Sequence, residues 1–275
     1  MNTARTVMLM TLLTLVLVGA GGALGGQSGA LFALIMAAVM NMGSYWFSDK
    51  VVIKMYRGEE ATSGMLYDVV SEICQQNDLI MPKVFHLPQA TPNAFATGRN
   101  PSHAVVAATD GITQVLTRDE LKGVMAHEMA HVQNRDILIG SIAATFAGAI
   151  SFMASMAQWG MLFGGRDDED SNPIAMIAMM ILAPIAAMLV QMAISRSREY
   201  GADAKGAQLC GNPHSLASAL RKLENANQRA PMPKVNEATA HMFIVNPLSG
   251  QKMAKLFSTH PPMEERIRRL ESMTL

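Results

Sequence analysis

"TRDELKGVMAHEMAHVQNRD", residues 117–136, is the stretch on which the fold turns. Thr117 followed three residues later by Glu120 is a capping box, in which two side chains satisfy the open backbone N–H groups of a helix start. Leu121, Val124 and Met125 continue at helical spacing, so the stretch predicts a helix. On it His127 and His131 stand one turn apart on one face, with Glu128 beside them. Imidazoles on one face can share an ion, and a neighbouring carboxylate can take a proton from a water that the ion activates. The alternative is a polar patch on a solvated helix, which H-E-x-x-H alone does not exclude.

A third ligand separates the two, because a catalytic zinc usually takes three protein ligands and leaves the fourth position to water. "SRSREYGADAKGA" (195–207) offers Glu199, with Asp203 one turn further on and placed to orient a ligand histidine through its free ring N–H. Alone, Glu199 could equally form a surface ion pair with Arg196, Arg198 or Lys205. Joined to H-E-x-x-H, the pattern makes His127, His131 and Glu199 the expected ligands of one Zn²⁺. Glu128 is then the expected catalytic base, acting on a water whose pKa the metal lowers from about 15.7 to about 7.

Composition adds a membrane. Only 16% of the 275 residues are charged and half are hydrophobic, against about a quarter charged in soluble proteins. Residues 6–48 carry no charge at all, about twice the ~20 residues one spanning helix needs. Gly19, Gly21, Gly22, Gly25, Gly26 and Gly29 mark a return, so a hairpin of helices near 6–24 and 30–48 is expected. A second apolar pair, 137–165 and 171–195, is split by "RDDED", with Pro184 kinking the last helix. Four spans result. Arg5, Lys50, Lys54, Arg57, Arg135, Arg196 and Arg198 flank them on one side and only Arg166 on the other, which puts both termini in the cytoplasm. A cleaved signal peptide is the alternative for the first run, but a second full-length span follows it at once.

The expected fold is therefore α+β and mainly helical. A hairpin over 1–48 and another over 137–195 flank and interrupt a composite domain of 49–136 and 196–275. "PKVFHL" (82–87), "AFATG" (94–98) and "SHAVVAAT" (102–109) read as a small antiparallel sheet. Zero formal charge gives no support for a nucleic-acid partner. Cys74 and Cys210 form no C-x-x-C pattern and read as plain thiols.

"HEMAH", the apolar hairpin, "SREYGAD", "NAFATG" and "STHPPMEERI" together resemble the HtpX-type membrane metallopeptidases, bacterial relatives of the CAAX prenyl proteases, over essentially the whole chain. The resemblance implies a gluzincin-type zinc endopeptidase of the bacterial inner membrane that removes damaged membrane proteins under stress. It implies zinc ligation by His127, His131 and Glu199, catalysis by Glu128, and a cleft bordered by Asn93 to Ala96. Sixty-seven residues separate His131 from Glu199, far more than in soluble gluzincins, and the inserted hairpin accounts for them. Four apolar runs do not build the seven-helix chamber of the eukaryotic prenyl proteases. His131 precedes the third run by about six positions and Glu199 follows the fourth by about four. At ~1.5 Å per residue, unbroken helices would hold both ligands within about 10 Å of the hydrocarbon edge.

Other candidates are less determined. "ATPNAFATGRNPSHAVVAATDG" (90–111) offers a strand edge on which an extended peptide could pair, although Asn93 could equally cap a turn. His260, before Pro261 and Pro262, either starts a helix or stabilises a developing oxyanion, a role open also to Arg198 and Tyr200. His86, His103, His214 and His241 read as packed or surface residues. Expected partners are protein substrates with cytoplasmic loops or tails, and the bilayer itself; the sequence leaves the oligomeric state open. A zinc-retaining scaffold without turnover has no chemical reason to keep Glu128, and a metal transporter would place ionisable residues inside the spans.

Overall fold

The computed structural model describes residues 2–138, 196–229, 244 and 261–275. The second apolar pair from 139 onward, with Pro184, and the histidines at 241 and 260 lie outside the described residues.

Helix α1 runs from Asn2 to Met55. Gly26 within it has φ +59, and the Cβ of Ala30 lies 3.6 Å from where a Cβ on Gly22 would stand. Eight residues along a straight helix would be separated by about 12 Å, so the axis reverses at Gly26. The helix bounds differ from the expected 6–24 and 30–48, since helix runs from Asn2 to Met55 with the left-handed residue at Gly26. Only glycine enters the left-handed region without strain, so the reversal shrinks to Gly26, and the second arm continues to Met55. Counted over the described side chains alone, no helix is long and apolar enough to cross a membrane.

The sheet is mixed, which corrects the antiparallel expectation. Its order is β1 (Glu59–Glu60), β2 (Lys83–Leu87), β4 (Ala104–Thr109), β3 (Ala94–Gly98). β3 and β4 form an antiparallel hairpin, but the hairpin folds back so that β4, not β3, lies beside β2, and those two strands run the same way. Among the described residues β3 is left at the edge. Side chains alternate across the sheet. Leu87, Phe95, Val105 and Ala107 pack on Val52, Ile53 and Tyr56 near the end of α1, whereas Val84, Ala94, Ala96, Ala104, Val106 and Ala108 face the helices. Both faces being covered, all six residues of β4 are buried.

Behind the sheet lie α2 (Met65–Gln76), α3 (Asp110–Val115), α4 (Arg118–Gln133), α5 (Arg196–Cys210), α6 (Pro213–Arg229) and α7 (Met263–Glu271). α4 is central, packed against α2, α5, α6 and β3. Its start is the expected capping box: Thr117 Oγ1 accepts from Glu120 N, and Glu120 Oε2 accepts from Thr117 N at 2.8 Å. Lys222 and Ser218 of α6 donate to the same carboxylate. A Cβ on Gly206 of α5 would come within 2.8 Å of His127 Cα, so the missing side chain sets how closely α5 approaches α4.

Candidate metal centre

Surrounded on all sides, α4 buries even its polar residues: His127 and Glu128 are 1% and 3% exposed. Facing them, α5 brings Glu199 and Asp203, also buried. A surface ion pair is thereby excluded for Glu199. His127 Nε2 and His131 Nε2 stand 3.2 Å apart, and Glu199 oxygens lie 3.8 Å from the first and 3.5 Å from the second. Among the described residues these three form the one group of histidine, cysteine and acidic side chains that could hold a metal ion. Tetrahedral ligation with bonds near 2.0–2.1 Å sets ligand atoms about 3.4 Å apart, and the observed separations bracket that figure.

The carboxylates behind the rings make the fit chemical as well as geometric. His131 Nδ1 lies 3.2 Å from Asp136 Oδ2. His127 Nδ1 lies 2.9 Å from Asp203 Oδ1, close enough to share a proton though off the line of a good hydrogen bond. A ring proton held at Nδ1 leaves the Nε2 lone pair for a metal, although at His127 an Arg266 N–H also reaches Nε2, at 3.4 Å. Two lone pairs 3.2 Å apart repel unless a proton or cation sits between them, and two imidazoles with a carboxylate suit zinc.

Asp203 stands where the sequence suggests, one turn beyond Glu199. Two further residues do not follow from the motifs. Asp136 returns to His131 because Arg135 takes φ +59 and ends α4. That break also removes the unbroken helix on which the 10 Å depth argument depended. Arg266, on α7, is fully buried and clasps Asp203 with two hydrogen bonds of 2.8 and 2.7 Å. It also lies 3.5 Å from Glu199 and donates to the Ile244 carbonyl. A signal existed: Met263, Arg266, Ile267 and Leu270 share one helical stripe, so an arginine sits inside an apolar face.

The charges tune one another. Burial disfavours the Arg266 cation, but Asp203, Glu199 and Glu128 together more than compensate, so its pKa rises and it stays charged. Burial pushes Asp203 up, yet Arg266 and His127 hold it down to about 2. Burial lowers His127. At His131 burial works the same way, but Asp136, Glu199 and Glu128 outweigh it and the pKa rises to about 9. Burial lifts Glu128 to about 7, His131 opposing and Glu199 assisting, while the Ala96 N–H bonds its carboxylate.

The remaining candidates divide. Asn93 is fully buried, and its side-chain oxygen accepts from the neighbouring Ala94 N. Arg198 is half-buried on α5, next to Glu199. His260 lies outside the described residues. His86 is half-buried in β2, and His103 is exposed in the 3₁₀ turn Pro101–His103 rather than in a strand.

Residues 60–274 match the model of peptidase family M48. The chain is 73% identical to a protein named protease HtpX homolog from Syntrophotalea carbinolica, over the whole of both chains. It is 55% identical to another of that name from Syntrophobacter fumaroxidans, over 98% of each. The crystal structure of Saccharomyces mikatae Ste24p shares the fold, with a TM-score of 0.52 at 18% identity. The alignment covers 86% of this chain and little more than half, 57%, of Ste24p. The chain belongs to peptidase family M48 and is a metalloprotease, a hydrolase of peptide bonds.

Proposed function

We propose that the protein is a zinc endopeptidase embedded in the bacterial inner membrane, which cuts damaged or misfolded membrane proteins on the cytoplasmic side as part of stress-linked quality control. The observation that carries the chemistry is the pair of imidazoles whose Nδ1 atoms face Asp203 and Asp136 while their Nε2 atoms face one another beside Glu199. His127, His131 and Glu199 are the zinc ligands in this proposal. When bound, the ion polarises the scissile carbonyl and acidifies a water. Glu128 takes the proton of that water and passes it to the leaving amine; its burial supports a proton affinity near neutrality. Arg266 holds Asp203 charged, so that Asp203 keeps the His127 ring oriented.

Peptide binding follows from the edge position of β3. Asn93 and Thr109 exchange hydrogen bonds, and the alternation of an antiparallel pair turns the polar groups of Ala94, Ala96 and Gly98 away from β4. Ala94 O accepts from Ile244 N and Ala96 N reaches Glu128, so among the described residues the edge open to a substrate strand begins at the Ala96 carbonyl, beside the base. Membrane embedding is supported by the charge-free residues 6–48 and by exposed Leu31, Phe32, Ile35, Val39 and Met42 on the second arm of α1. Because the third apolar run begins six positions after His131, even extended chain keeps the site within about 20 Å of it.

The test compares wild type with Glu128→Gln and His131→Ala in detergent, measuring bound zinc and casein cleavage together. Glu128→Gln retains zinc and loses turnover, and His131→Ala loses both. Zinc-dependent partner binding with no cleavage by the wild type would instead identify a scaffold.

A further inference from the structure

At the end of the charge-free run, the second arm of α1 meets the turn between β3 and β4 in a cavity of about 260 Å³, lined by Trp46, Asp49, Lys50, Arg99 and His103 among others. The Arg99 guanidinium carbon lies over the Trp46 ring, 4.2 Å from its centroid, and the Lys50 ammonium stands 5.6 Å from the centroid of Phe47. No ion pair is recorded for either cation among the described residues. Stacking uses the face of a guanidinium and leaves its five N–H donors, which lie in the plane, available for a forked contact with an oxyanion.

We infer that this cavity binds the phosphate of an anionic phospholipid headgroup, rather than a free anion. Two permanent cations against Asp49 leave a net positive lining, and Asp49 can accept a hydroxyl of a glycerol headgroup. The depth agrees: Trp46 and Phe47 are exposed immediately after the apolar arm, where aromatic and basic residues mark a membrane–water boundary. The inference rests on the membrane embedding proposed above. Its consequence is positional, because Arg99 and His103 belong to the turn that continues β3, the strand whose Ala96 N–H bonds Glu128. A headgroup held there fixes the substrate edge relative to the bilayer surface.

The experiment uses full-length protein carrying Trp159→Phe, so that Trp46 is the sole tryptophan and is excited selectively over the tyrosines. Incorporation is first measured by flotation with neutral phosphatidylcholine vesicles. Trp46 fluorescence is then followed as short-chain phosphatidylglycerol, short-chain phosphatidylcholine or inorganic phosphate is titrated into the detergent-solubilised protein. Phosphatidylglycerol saturates the signal at least tenfold more tightly than phosphatidylcholine or phosphate, and Arg99→Gln and Lys50→Gln each reduce that preference severalfold with helical circular dichroism unchanged. Failure to enter neutral vesicles overturns the membrane embedding and the headgroup site with it. Incorporation without a phosphatidylglycerol preference, or with one that both variants retain, overturns the headgroup site alone. Phosphate binding as tightly as phosphatidylglycerol overturns the lipid assignment.

Discussion

Replacing Arg266 with methionine keeps an unbranched apolar stem, shorter than arginine, and deletes the charge. In the metal-free protein this strands Asp203 and Glu199, both 5% exposed or less, without the guanidinium that clasps the first and stands 3.5 Å from the second. Removing one member of a buried ion pair costs about 3–5 kcal/mol, because the remaining charge cannot regain water. For a chain of this size each kcal/mol shifts the melting temperature by roughly 2–4 °C, so Arg266→Met melts roughly 6–20 °C below wild type in chelator. Zinc narrows the gap, since its charge replaces part of what the guanidinium supplied. The controlling comparison is a double-mutant cycle with Asp203→Asn, followed by circular dichroism in detergent. The doubly substituted protein should be more stable than the sum of the single losses by about 1–3 kcal/mol. A drop below 2 °C for Arg266→Met in chelator, or strictly additive losses, would refute the buried clasp.

Asp136→Ala removes the partner of His131 Nδ1 and should weaken zinc binding by about 10–100-fold, read by competition with a chromogenic chelator; unchanged affinity would mean the contact does not orient the ring. Gly206→Ala places a Cβ 2.8 Å from His127 Cα, and overpacking of about 1–3 kcal/mol should lower both melting temperature and zinc occupancy. Glu72 gives a pH effect with a definite sign. Lys122 first and Arg118 second hold its pKa at about 2 against an ordinary 4.5, so its stabilisation is complete above 4.5 and is lost as pH falls towards 2. The pairs lie near the surface and are screened, so the loss is at most about 1 kcal/mol; urea midpoints of Glu72→Gln should fall less steeply than wild type below pH 4.5, and parallel slopes would discard the assignment.

Local and periodic features were legible in the sequence. The capping box at Thr117, the shared face of His127 and His131, and the one-turn step from Glu199 to Asp203 depend on residues within a turn of one another, where helix geometry alone sets direction. The strand segments could also be read, but their pairing could not, because parallel or antiparallel contact is settled by how the β3–β4 hairpin folds back on β2. Gly26 stood among six glycines, and nothing local says which one takes the left-handed turn.

The residue types and spacing of the candidate metal set, His127, His131 and Glu199, and the carboxylate beside them that we propose as base, were legible in the sequence by itself. Only the tertiary structure decided what surrounds them: Asp136 reaches His131 because Arg135 breaks the helix, and Arg266 reaches Asp203 across 63 positions of chain. The physical reason is range. Backbone geometry carries information over about one helical turn, whereas the partner of a buried charge is chosen by whichever distant element packs against it, and that choice appears only when α4, α5 and α7 are folded together.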